Sequence, residues 1–157
     1  MLTYMREEEK MARDVYLVMY EKWGAAIFST IAGSEQRHMD TMKKMLDKYG
    51  LPDPAQPAAG VFTDLDLQDK YDLLVSSGSL SYLDGLYVGA TIEEIDMVDI
   101  QHAIEVTTHL DLLRAYQNLL EGSKNHLRAF VRALANQGVT YTPQYISQEL
   151  FDAIIGL

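Results

Sequence analysis

The chain has 157 residues, 48% of them hydrophobic, which suits one domain burying roughly 70% of the surface its unfolded chain exposes. It carries 13 basic and 23 acidic residues, a net charge of −10, which argues against nucleic acid or an anionic membrane as a partner. There is no cysteine, so disulfides, zinc–cysteine sites and thiol chemistry are excluded, and a reducing, cytoplasmic home fits.

No stretch approaches the run of about 18 apolar residues needed to span a membrane, and the chain opens directly on a charged amphipathic pattern. The expectation is a protein without a signal peptide or a membrane span.

Residues 3 to 23 read as the first helix. Steps of three and four give the stripe Leu2, Met5, Glu9, Ala12, Tyr16, Met19 and Trp23, with one carboxylate among apolar side chains. Glu7, Glu8 and Glu9 run together. The plain reading is three solvated charges near a helix start, but Glu9 lies on the stripe and Glu8 is one step round from it.

Gly24 breaks the pattern, and a second helix covers about 26 to 49. Its stripe is Phe28, Ile31, Glu35, His38, Met42, Met45 and Tyr49. Glu35 and His38 are three apart, so both side chains leave the same face. A buried carboxylate is costly unless it is paired or holds a metal, and Glu-x-x-His aimed into a helical bundle is the ligand pair of carboxylate-bridged di-metal sites. The short break at Gly24 implies an antiparallel hairpin that sets Glu9 opposite Glu35.

Residues 50 to 66 hold three of the four prolines and read as a connection. A short helix over 67 to 75 is expected next, capped by Asp64 or Asp66 and ended by Ser76-Ser77-Gly78-Ser79. The whole stretch has the length of a crossover joining two hairpins of a four-helix bundle.

The third long helix is expected over 80 to 106. Its preferred stripe is Leu86, Ala90, Glu93, Met97, Ile100 and Ile104, with Asp96 beside it. A competing stripe runs through Leu83, Tyr87, Ala90 and Glu94. The fourth long helix, 110 to 136, has the stripe Leu112, Tyr116, Leu119, Ser123, His126, Phe130 and Leu134, in which His126 is the one strongly polar group. Gly122 is a weak point that permits a close approach or a kink. After Gly138, Thr142-Pro143 gives a cap and first-turn signal for a short helix over 143 to 155. His102 and His109 have no companions, and the methionines of the second helix read as packing rather than a copper site.

Each long helix thus offers an inward polar group: Glu9, Glu35 with His38, Glu93 with Asp96, and His126. Carboxylates with imidazoles suit iron or manganese and also accept zinc. Two divalent ions carry four positive charges, and the four carboxylates balance them.

The motifs resemble those of a known family. Glu9-x-x-Ala12-x-x-x-Tyr16 is similar to the first-helix pattern of rubrerythrin-type ferritin-like proteins. Glu35-Gln36-Arg37-His38 looks like their second-helix Glu-x-x-His. Glu93-Glu94-Ile95-Asp96 is similar to their third-helix Glu-x-x-Glu. His126-Leu127-Arg128-Ala129-Phe130 resembles the end of their fourth-helix motif.

The phrases around Glu8 to Tyr16 and Gly122 to Phe130 also resemble an uncharacterised ferritin-like domain family of bacteria and archaea. The resemblance covers about residues 3 to 136. It implies an all-α, ferritin-like four-helix bundle with a long crossover between its second and third helices and a short C-terminal helix, forming a single domain over 1–157. It further implies iron, two ions per chain, with Glu35 bridging and Glu9, Glu93, His38 and His126 terminal, oxygen or peroxide as substrate, a separate electron donor, and a homodimer.

One departure stands out: the family pattern puts a bridging Glu where this chain has Ser123. The alternative expectation is therefore a non-catalytic bundle with a degenerate or structural metal site, acting as an interaction protein. Iron storage would need a cage, and no stretch signals cage contacts.

Overall fold

The apolar periodicities become helices. The computed structural model describes residues 1–156, and among them are six helices and no strand: α1 Leu2–Trp23, α2 Ala26–Lys48, α3 Leu65–Gly78, α4 Tyr82–Val106, α5 Leu110–Asn136 and α6 Gln148–Ile155. Gly24 stops α1 in the left-handed conformation, φ 66°, with its N–H on Tyr20 O at 2.8 Å, and this turn sends α2 back along α1. No helix among the described residues is long and apolar enough to cross a membrane.

Three helices differ in their bounds from the sequence reading. Asp64 rather than Asp66 caps α3, accepting from Asp66 N and Leu67 N. That helix continues through Ser76, Ser77 and Gly78 because its end packs on α1: the Trp23 indole donates to Gly78 O at 3.0 Å. Helix α4 begins at Tyr82, two residues later than expected, behind the side-chain cap of Ser81. Helix α6 begins at Gln148 with Ser147 as its cap, not at Pro143. The backbone of the expected first turn is engaged elsewhere. Gln144, Tyr145 and Ile146 donate their N–H groups to the Glu94 carboxylate at 3.0 to 3.1 Å, and the Tyr141 hydroxyl donates to it as well.

Helix α1 packs on α2, α3 and α4, while α5 packs on α4, α2 and α6. Two apolar clusters result. One holds Tyr16, Phe28, Leu86 and Phe130; the other holds Met5, Met42, Leu46, Ile100, Tyr116 and Leu119. Along α1, α2 and α5 the mid-stripe polar residues fall between these two clusters, while in α4 Glu93 and Asp96 lie among residues of the first.

The first half of α1 is buried on all sides. Glu7, Glu8, Glu9, Lys10 and Asp14 are each 1–2% exposed, so the plain reading of Glu7 to Glu9 as solvated charges does not hold. The crossover covers them. Lys10 Nζ donates to Asp14 Oδ2 at 2.7 Å, to Ala58 O at 2.9 Å and to Val61 O at 3.1 Å. Asp14 also accepts from Gly60 N, and Glu7 accepts from Thr63 N and Asp64 N.

Removing one partner of such a pair leaves a buried charge uncompensated. Lys10→Ala should lower the unfolding free energy by about 3 kcal/mol, the low end for buried pairs because Arg13 still reaches Asp14; urea denaturation measures it. Glu94→Ala should leave α1 to α5 folded but release the segment from Tyr141 to Ile146, seen as fast amide exchange at Gln144, Tyr145 and Ile146. Unchanged protection there would mean that α6 packing alone holds the segment.

Candidate metal centre

Four helices deliver one cluster. Helix α1 brings Glu9, α2 brings Glu35 and His38, α4 brings Glu93, and α5 brings His126. All are buried except the edge of His38, whose side chain is 12% exposed. The ligand-type atoms fall into two groups that share one residue: Glu9, Glu35 and His38, and Glu35, Glu93 and His126.

His38 Nδ1 lies 3.0 Å from Glu9 Oε2 and 2.8 Å from Glu35 Oε2. His126 Nδ1 lies 2.9 Å from Glu35 Oε1 and 3.3 Å from Glu93 Oε2. The Glu35 carboxylate therefore presents one oxygen to each imidazole.

Most of these close approaches are not hydrogen bonds. His126 Nδ1, Glu9 Oε1, Glu35 Oε2 and Glu93 Oε2 are all buried without an aligned partner. Buried polar atoms are rarely left so. An ion held at roughly 2.1 Å sets neighbouring ligand atoms of an octahedron about 3 Å apart. The observed separations match that spacing, and the unpartnered lone pairs are what a cation would use. The residues fit a pair of metal ions bridged by Glu35.

Surrounding groups fix the orientations. Ser34 Oγ sits 2.9 Å from His126 Nε2, which leaves Nδ1 free to face the carboxylates. Tyr16 donates to Glu93 Oε1 at 2.5 Å and leaves Oε2 free.

Asp96 joins neither group. Its Oδ2 accepts from Ser123 Oγ at 2.5 Å, and its Oδ1 is buried without a partner. Of the two sequence alternatives, Glu93 faces the cluster, while Glu94 turns to the C-terminal segment. Glu8 is buried beside Tyr4 with Oε2 unpartnered. His102 is exposed, and His109 begins α5 with its ring on Tyr49. Ser34 had no signal in the sequence, since a serine inside an amphipathic helix carries no mark of its contact across to α5.

The electrostatics follow from burial and proximity. Burial alone would depress the histidines, but the adjacent carboxylates outweigh it. Glu35 and Glu9 hold His38 up at about 11, and Glu93 with Glu35 hold His126 up at about 10. Burial would raise Glu35, yet the two imidazoles pull it below the usual carboxylate range. Burial raises Glu9 against the pull of His38, and raises Glu93 against that of His126. Burial raises Asp96 well above its ordinary value, with the charges of Glu9, Glu35 and Glu93 adding to the effect.

Known proteins resemble this chain over nearly its whole length. The chain is 51% identical over 155 residues to the uncharacterized protein MJ0754 of Methanocaldococcus jannaschii, covering 98% of this chain and 84% of that relative. The crystal structure of that hypothetical protein superposes with a TM-score of 0.97 at 50% identity, over 99% of this chain and 90% of the other. A family profile described as an uncharacterized protein domain, DUF2202, matches residues 1–156. The chain belongs to the DUF2202 family.

Proposed function

We propose that this protein is a ferritin-like four-helix bundle that holds two metal ions, iron in the first instance, and reduces oxygen or peroxide with them. The observation that carries the reading is the Glu35 carboxylate, one oxygen toward His38 and the other toward His126, with the remaining lone pairs around it unpartnered. Such a pair of ions, when bound, would supply redox equivalents and Lewis acidity.

The side chains do the rest. Glu9 and His38 would hold one ion, Glu93 and His126 the other, and Glu35 would be shared by both. Ser34 keeps the His126 proton on Nε2, so Nδ1 can coordinate. Tyr16 holds Glu93 by one oxygen. Three carboxylates against two divalent ions leave one positive charge, which an ionised Asp96, its Oδ2 accepting from Ser123, would cancel. These residues hold no cysteine for an iron–sulfur centre, so the redox reading calls for an electron donor outside them.

Ser123 favours a second reading, a non-catalytic bundle with a single structural ion, because only one carboxylate remains to bridge. Anaerobic titration of metal-free protein with Fe(II) separates the two. Two ions per chain, followed by oxidation on adding peroxide, supports the redox reading. One inert ion supports the second, and none sinks both. Glu35→Ala should abolish binding at both positions, and in metal-free protein it should lower stability, because His38 and His126 lose the carboxylate that pairs with both.

The pH dependence has a definite sign. In the metal-free protein the raised histidines contribute stability in full below pH 6.5 and lose it as pH rises through about 10 and 11. The lowered Glu35 contributes above pH 4.5 and loses its share as pH falls below that. Metal-free stability, followed by urea unfolding, should therefore fall toward alkaline pH, the raised Glu9, Glu93 and Asp96 starting the decline above pH 4.5 and the histidines completing it. Metal retention should run the other way, strengthening with rising pH because binding displaces the imidazole protons.

A further inference from the structure

The exposed edge of the centre is built around a missing side chain. Helix α5 runs unbroken through Gly122, so this glycine makes no kink. It permits a close approach. A Cβ placed there would lie 2.6 Å from His38 Nε2 and 2.7 Å from His38 Cε1. The other glycines whose Cβ would crowd a neighbour meet core or loop packing: Gly89 against Phe130, Gly78 against Met19, Gly60 against Tyr71, Gly85 against Trp23 and Phe28. Gly122 alone faces a residue of the cluster.

We propose that Gly122 is the positioning residue for His38: the absence of a side chain at 122 is what allows the metal position between Glu9 and Glu35 to exist. The inference rests on the two-metal reading and adds to it the residue that sets one of the two positions.

Ordinary contact between carbon atoms is about 3.5–4.0 Å, so a methyl group at 122 must drive the ring back by about 1 Å. Its Nδ1 is 2.8 Å from Glu35 Oε2 and 3.0 Å from Glu9 Oε2, so a displacement of the ring alters both distances. Metal ligands tolerate displacements of roughly 0.2 Å. The second position does not touch Gly122: its imidazole, His126, is held by Ser34 from α2. A Cβ at 122 therefore removes one ion and spares the other.

The test compares wild type, Gly122→Ala, His38→Ala and the double variant, each made metal-free and titrated calorimetrically with Co(II). Wild type should take two ions and the other three one each. Melting without metal supplies a second reading. Alanine favours a helix interior over glycine, so G122A should raise the melting temperature in the H38A background, where no ring opposes it, and lower it in the wild-type background.

Two ions bound by G122A, or a melting shift of the same sign in both backgrounds, overturns the proposal. Fewer than two ions in wild type overturns the two-metal reading instead, and the melting comparison then still decides whether Gly122 sets His38.

Discussion

Everything in this molecule answers to one constraint: negative charge confined in an apolar interior. Glu8, Glu9, Glu35, Glu93 and Asp96 are all at most 4% exposed. Only two imidazoles stand among them. Carboxylates in such a place must be neutralised by protons, by cations or by each other's withdrawal from ionisation. The raised values of Glu8, Glu9, Glu93 and Asp96 express the proton solution, and the depressed Glu35 marks where the imidazoles act most strongly. The two apolar clusters above and below the charged layer keep water from offering a third.

The helices that carry this layer also fasten the loops, through residues one or two steps away. Glu9 faces the centre while Glu7 holds the backbone of Thr63 and Asp64. Glu93 faces it while Glu94 holds the backbone of residues 144 to 146. Successive helical residues point about 100° apart, so neighbouring glutamates necessarily serve different surroundings. A rotation of α1 or α4 would disturb the centre and its covering loop together.

The long helices were legible because each has an apolar stripe interrupted by a polar residue, and a stripe reports a face. The convergence of Glu9, Glu35, His38, Glu93 and His126 followed from placing those faces together. Where a helix is buried on more than one side, periodicity loses its meaning. Glu93 and Glu94 are both buried, and only their partners distinguish them. The carbonyls that complete the Lys10–Asp14 pair belong to Ala58 and Val61, far along the chain, so nothing near the pair in sequence marks it as buried. Thr142-Pro143 was a sound local cap signal. It lost to a buried carboxylate on α4, an interaction that sequence neighbours cannot reveal.

The two groups around Glu35 differ in how they are assembled. Glu9, Glu35 and His38 all lie on the α1–α2 hairpin, a contiguous stretch closed by the turn at Gly24. Glu93 and His126 come from the other hairpin, so the second group exists only once the two hairpins have docked. An early, half-formed chain could already present the first group to an ion, and whatever occupied the second would act as a clasp between the hairpins. Loading order would then be written into chain topology rather than into ligand chemistry.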